Sequence, residues 1–188
     1  MNEIRAALSE LGIELWSLND IADLGEAEET GTTFEENAVL KARFYHQRTG
    51  MAVLADDSGL EVDPLSGFPG LHSARFLGCS ASDAERCRNL VAMLRQTGLP
   101  QEQWRARFVC VLALALPGCP VETFRGEWRG LIVAEPRGEH GFGYDPIFLD
   151  PRLERTAAEL TCEEKNARSH RGAALRQLAA RLARLPRS

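Results

Sequence analysis

Three times along this chain a Ser or Thr is followed, three residues later, by Glu at the head of an apolar-periodic stretch: Thr33 with Glu36, Ser82 with Glu85, and Thr161 with Glu164. Such a pair satisfies two backbone N–H groups that a helix start would otherwise leave orphaned. Between these signals lie strand-sized apolar runs, the longest from Phe108 to Leu116, far short of the ~20 residues a membrane span needs. Interleaved helices and strands, with a long antiparallel-looking stretch in the middle, predict a mixed α/β sheet rather than a strict βαβ series.

The expected elements follow in order. Ile4, Ala7, Leu8 and Leu11 recur at helical spacing over 3 to 11, and Gly12 stops that helix. Ile13 to Leu18 reads as a short strand, and Asp20 to Gly31 as an acidic loop with Asp23, Glu26, Glu28 and Glu29. A helix from Thr33 to Gly50 repeats apolar positions Phe34, Ala38, Ala42 and Tyr45 at helical spacing. Met51 to Ala55 is a buried strand that Asp56-Asp57-Ser58-Gly59 interrupts. A second capped helix runs from Ser82 to about Thr97. Strands follow from Trp104 to Leu116, Val121 to Trp128 and Gly130 to Ala134, then a glycine-rich loop from Gly138 to Gly143. The last capping signal opens one C-terminal helix carrying Leu175, Leu178 and Leu182. At 188 residues, with no repeat or low-complexity linker, a single domain is expected.

Composition narrows the function. A net charge of -5 argues against a duplex nucleic-acid binder, which carries a basic face. The opening residues have no charged leader followed by an apolar stretch, so a cytoplasmic protein with no membrane partner is expected. Five scattered cysteines, none in a C-x-x-C pair, read as reduced and mostly buried thiols. Of 22 basic residues only Lys41 and Lys165 are lysine, which hints that each position wants a compact ammonium.

Four segments carry groups able to do chemistry. Asp56 and Asp57 are adjacent in extended chain, so their side chains point to opposite sides and take different tasks. Glu28 and Glu29 offer further oxygen ligands of the kind Mg²⁺ accepts. Gly138 to Pro146 combines glycine freedom with Phe142 and Tyr144, rings able to stack on a purine, and with the carboxylate of Asp145. Lys165, Ser169, His170 and Arg171 place cations near the start of the last helix, a charge able to neutralise a triphosphate. Each segment alone also fits a plain structural role: a turn, a solvated acidic loop, a hairpin, an exposed helix face. His46, His72 and His140 have no metal-ligand spacing and are read as structural or surface groups.

Taken in order, the segments resemble the non-canonical purine NTP pyrophosphatases, the inosine/xanthosine triphosphate pyrophosphatase family. The resemblance is carried by Glu28-Glu29-Thr30-Gly31, Thr33 to Ala38, Lys41-Ala42-Arg43, Ala55 to Leu60, Pro69-Gly70 and Ser73-Ala74-Arg75. It continues through Gly141 to Pro146, Ala158-Glu159-Leu160, Glu164-Lys165-Asn166 and Ser169 to Gly172. It implies an elongated mixed β-sheet flanked by helices, two lobes with a central cleft, and a homodimer. The implied activity is hydrolysis of ITP, XTP and their deoxy forms to monophosphate and pyrophosphate with Mg²⁺. The implied roles are Asp57 as catalytic base and metal ligand, Glu29 as a second metal ligand, and Ser58 as a substrate contact. Phe142, Gly143, Tyr144 and Asp145 correspond to the purine loop, and Lys165, His170 and Arg171 to groups that hold phosphate and the base carbonyl.

One departure stands out. The family opens with a strand and a Ser/Thr-x-Asn-x-x-Lys phosphate loop, and this sequence starts after them, short by roughly a dozen residues. A valine GTG codon read as the start would give that result, with a longer natural protein expected. Two other readings stay open: a catalytically impaired nucleotide-binding homologue, and a related pyrophosphatase preferring modified pyrimidines.

Overall fold

The computed structural model describes residues 4–5, 12–21 and 24–184. The expected helix over 3 to 11 lies outside the described residues except for Ile4 and Arg5, both helical, and Asp23 of the acidic loop lies outside them too.

The helix-start signals each act as the sequence proposes, with one variation. Helix α1, Phe34–Thr49, is capped by the Thr33 hydroxyl accepting from Glu36 N, and it ends on Gly50 at φ 67°. The Glu36 carboxylate reaches past the cap to Thr32, accepting from its N–H at 2.6 Å, so the reciprocal half of the box is displaced by one residue. Helix α2, Asp83–Gln96, has the complete Ser82/Glu85 box. Helix α3, Cys162–Arg168, has the complete Thr161/Glu164 box. The expected single C-terminal helix is in fact two. Ser169 is extended (φ -63°, ψ 158°) and separates α3 from α4, His170–Leu182.

The strands differ from expectation in instructive ways. Strand β1, Val53–Val62, continues straight through Asp56-Asp57-Ser58-Gly59, which is therefore neither turn nor break. Its buried end is the later one, at Leu60 and Val62, whereas Met51 is exposed. After β2, Arg105–Ala115, the two strands expected around Arg129 are one, β3, Glu122–Ile132. Its glycines are clearances: a Cβ on Gly130 would overlap the Leu149 carbonyl oxygen, and one on Gly126 the His170 carbonyl oxygen. Short strands β4, Phe148–Asp150, and β5, Arg155–Thr156, complete a five-stranded sheet in which spatial order follows chain order. The β3–β4 ladder is antiparallel, with Leu131 opposite Leu149 and Ile132 opposite Phe148. The β4–β5 ladder is antiparallel as well.

Ile13 to Leu18 does not form the expected strand. Residues 13–17 are irregular and Leu18–Asp20 is a 3-10 turn. Asp20 Oδ2 accepts from Ser17 N at 2.9 Å, so a local side-chain bond takes up backbone that a ladder would need.

The chain divides into two compact units, Met1–Asp57 with Cys110–Gly126 and His170–Ser188, and Ser58–Val109 with Glu127–Ser169. Each has its own core. In the first, Cys110, Leu112, Leu114, Phe124, Ala174, Leu175 and Leu178 pack together. In the second, Leu60, Leu90, Leu94, Trp104, Phe108, Trp128 and Phe148 form the centre. Phe108, Trp128 and Phe148 meet there with centroids 4.5 to 6.4 Å apart.

All five cysteines are free, as expected, but only Cys87 and Cys110 are buried, while Cys79, Cys119 and Cys162 are exposed. Among the described residues no helix is long and apolar enough to cross a membrane.

Candidate functional site

In the first unit the acidic loop and β1 meet at one ammonium. Lys41, on α1, donates from Nζ to Asp57 Oδ1 at 2.7 Å and to Glu29 Oε1 at 3.2 Å. All three side chains are less than a quarter exposed. The helix register explains the placement. Lys41 lies between Ala38 and Ala42, which are fully buried, so its stem rises from the inner edge of α1. Asn37, one turn earlier and buried, accepts from Gly31 N at 2.8 Å and also bonds Asp57. It thereby ties the loop carrying Glu29 to the strand carrying Asp57. Gly31 is required there, because a Cβ would come within 2.6 Å of Asn37 Oδ1.

Burial pushes the Asp57 carboxyl above its ordinary value. The Lys41 hydrogen bond and charge oppose this, and the negative charge of Glu29 adds to it. A carboxylate poised in this way accepts a proton more readily than a solvated one.

Asp56 looks the other way, as strand alternation demands. Arg171 Nε donates to its Oδ2 at 2.9 Å, and Cys110 Sγ stands 3.6 Å from the same oxygen. Arg171, expected to contact substrate, is here the partner of Asp56. His170 precedes it on the first turn of α4 and is buried. Glu28 is exposed.

The second unit carries the late loop. Phe142 is 60% exposed, whereas Tyr144 is buried in the core and donates its hydroxyl to Ser73 O at 3.0 Å. Burial drives the Tyr144 phenol well above its usual range. The ring available for stacking is therefore Phe142, and Tyr144 anchors the loop. Ser73 is itself fixed, accepting from Leu60 N at 2.9 Å and donating to Gly70 O at 2.6 Å. Asp145 is buried and accepts from both Phe142 N at 2.9 Å and Lys165 Nζ at 2.5 Å. The Lys165 ammonium lies 4.8 Å from the Phe142 ring centroid, a cation–π distance. Gly143 supplies the left-handed turn, φ 62°, between Phe142 and Tyr144. Ser58, the residue after Asp57 on β1, is half-buried.

Sequence reasoning placed Glu29, Asp56, Asp57, Phe142, Asp145 and Lys165 among candidate groups, marked Lys41 only through the scarcity of lysine, and gave Asn37 and Ser73 no role. The scarcity of lysine was the available signal for Lys41: each of the two lysines in the chain is held by a carboxylate of the site.

These features define a mixed α/β protein whose polar centres are acid–lysine sets, one at a strand and one at an aromatic loop. The chain belongs to the Ham1 family, which it matches over residues 1–181. A dITP/XTP pyrophosphatase of Exiguobacterium sibiricum is 51% identical over 182 residues, 97% of this chain and 91% of that protein. One of Geobacillus kaustophilus is 49% identical, covering 95% of this chain and 86% of its own length. Among solved structures, a HAM1 protein from Coxiella burnetii superposes with a TM-score of 0.90 at 42% identity, covering 98% of this chain and 93% of that one. A nucleoside-triphosphatase / dITP/XTP pyrophosphatase from Mycobacterium abscessus gives 0.77 at 43% identity, covering 98% and 92%.

Proposed function

We propose that this protein hydrolyses non-canonical purine nucleoside triphosphates, ITP, dITP and XTP, to the monophosphate and pyrophosphate. The observation that carries the reading is the convergence of Asp57 and Glu29 on one cationic position, at 2.7 and 3.2 Å from Lys41 Nζ. It is supported by relatives named dITP/XTP pyrophosphatase that match nearly the whole chain.

The donor set suits Mg²⁺: two carboxylates with oxygen ligands only, leaving room for water and phosphate oxygens. Among the described residues no larger cluster of acids, His and Cys forms, so Glu29 and Asp57 would supply the protein's share. When bound, the ion would neutralise phosphate charge.

The chain's own groups account for the rest. Asp57, with its carboxyl raised by burial, takes a proton from water as that water attacks the α-phosphorus. The α–β anhydride bond breaks, the water oxygen remains on the nucleotide, and pyrophosphate leaves with the bonding pair. Lys41 keeps positive charge beside the carboxylates where phosphate oxygens gather. Phe142 offers its exposed face to the base, and Lys165 donates to the 6-oxo group of hypoxanthine or xanthine. A 6-amino purine would set a donor against that N–H where a 6-oxo purine offers an acceptor, a basis for rejecting ATP. Ser58, next to Asp57 on β1, and His170 and Arg171, at the start of α4, are the further substrate contacts of this reading.

A nucleotide binder without turnover is not favoured, because relatives about half identical over nearly the whole chain are named dITP/XTP pyrophosphatase. The protein works in the cytoplasm and as a homodimer on this reading, with a free nucleotide as its substrate. The test is pyrophosphate release from ITP, XTP, ATP and GTP with Mg²⁺ and again with EDTA. Release from ITP and XTP, abolished by EDTA, is expected. Orthophosphate in place of pyrophosphate, or no release from ITP, overturns the proposal.

A further inference from the structure

The loop that presents Phe142 has an unusual problem. The residues on both sides of Phe142 are glycines in the left-handed region, Gly141 at φ 82° and Gly143 at φ 62°. Glycine visits many conformations at little cost, so such a loop has no intrinsic preference for the one that displays the ring. Two of its backbone N–H groups are fixed by carboxylates. Phe142 N donates to Asp145, within the loop itself. Gly143 N donates to Asp83 Oδ2 at 2.6 Å, and Asp83 belongs to a different element, the first residue of α2.

Asp83 is in turn held. Its other oxygen accepts from Arg86 Nη1 at 3.0 Å. Arg86 is only 9% exposed, and it donates from Nε to Phe76 O and from Nη2 to Gly78 O. One further residue along, the buried Cys87 thiol sits 3.4 Å from Gly143 O, so the same helical turn touches both backbone polar groups of Gly143. Burial and the negative charge of Asp83 push this thiol up to about 12, which keeps it protonated as the donor to that carbonyl.

We propose that Asp83 is a positioning residue for base recognition: by fixing the Gly143 N–H, with Arg86 fixing Asp83, it sets where the Phe142 ring lies. This rests on the pyrophosphatase reading and names a specificity element outside the groups that touch substrate. Asp83 has no part in the acid–lysine set around Asp57, so its loss affects base binding and leaves phosphate chemistry alone. A role confined to the α2 terminus, where an acidic first turn is favourable in any case, makes a different forecast, because Glu in place of Asp would serve it equally.

The experiment compares wild type, Asp83→Glu and Asp83→Ala. It measures kcat and KM for ITP, inhibition by inorganic tripolyphosphate, which has no base, and thermal midpoints. Asp83→Glu keeps the charge and the helix-start position but moves the acceptor by one methylene. The expected result for both variants is a KM for ITP raised about tenfold, the size of one lost charge-assisted hydrogen bond. Their kcat stays within about twofold and tripolyphosphate inhibition is unchanged, as P–O bond chemistry is untouched by a base-positioning group. A wild-type KM in Asp83→Glu, or a parallel loss of tripolyphosphate inhibition, overturns the inference while leaving the function standing. Should Asp83→Ala not fold, Asp83→Glu decides alone. Absence of ITP turnover in the wild type is a separate result that removes the functional reading itself.

Discussion

Replacing Lys165 with Met tests how the base-reading loop is held. The Lys165 and Asp145 side chains are 9% and 4% exposed, and their charged atoms are 2.5 Å apart. With an effective dielectric near 20, two unit charges at that separation attract by about 6–7 kcal/mol. Desolvating the two ions consumes several kcal/mol each, so the intact pair contributes little net stability. The broken pair is another matter. Asp145 stays buried and loses the ammonium that faces it, while it keeps the Phe142 N–H as a neutral donor. The expected loss for Lys165→Met is about 3–5 kcal/mol, equivalent to about 10 °C in a chain of this length. Adding Asp145→Asn removes the stranded charge while retaining an acceptor for Phe142 N, and should recover at least about half of that loss. Urea denaturation of wild type, both single variants and the double variant closes the cycle. The reasoning is refuted if Lys165→Met loses less than about 1 kcal/mol, or if the double variant is as unstable as Lys165→Met.

Two further outcomes are expected. Asp57→Asn should lower turnover of ITP by about 10²- to 10⁴-fold, the usual range for a lost general base, without loss of stability at neutral pH. The sign follows from burial raising its carboxyl: the stability this group contributes is full below the unfolded value near 4 and is lost as pH rises through the folded value. An Asn fixed in the uncharged form avoids that loss, so its thermal midpoint matches wild type at low pH and equals or exceeds it at pH 7; a marked drop at pH 7 contradicts the assignment. Gly126→Ala places a methyl group against the His170 carbonyl oxygen, 2.8 Å from Ala174 N and 3.0 Å from Ala173 Cβ. Overpacking of this kind should destabilise by about 1–3 kcal/mol, and a denaturation midpoint within error of wild type would remove the clearance argument for that glycine.

Helix starts were readable because capping is a local code: Ser82 with Glu85 and Thr161 with Glu164 lie within one turn and need no distant partner. The end of α3 was not readable in the same way. Ser169 leaves the helix although the apolar spacing around it continues into α4, and its hydroxyl side chain gives no stop signal as strong as Gly or Pro. One glycine, Gly130, misled in β3 for a physical reason, whereas Gly126 already lay inside an expected strand. Gly130 resembles a turn residue in one dimension, but both glycines are selected by what lies above them, the His170 carbonyl over Gly126 and the Leu149 carbonyl and Phe148 ring over Gly130. Asp56-Asp57-Ser58-Gly59 misled similarly, since turn propensity describes an isolated segment and a sheet overrides it. In the candidate site, the residue types and their order singled out Asp57, Glu29 and Lys165, each of which the fold holds in an ion pair. What the order could not disclose is pairing: that Asp56 belongs to Arg171, that Lys41 bridges two acids, and that Tyr144 faces inward while Phe142 faces out.

Because Asp56 and Asp57 ride a pleated strand, their roles are assigned by parity. A one-residue slip of β1 against its neighbours would deliver Asp56 to Lys41 and turn Asp57 toward Arg171, exchanging reactive and structural acids without altering composition. The site is thus more vulnerable to a single deletion or insertion between Val53 and Asp56 than to most point changes there, and natural variation in that stretch should be substitutional rather than in length.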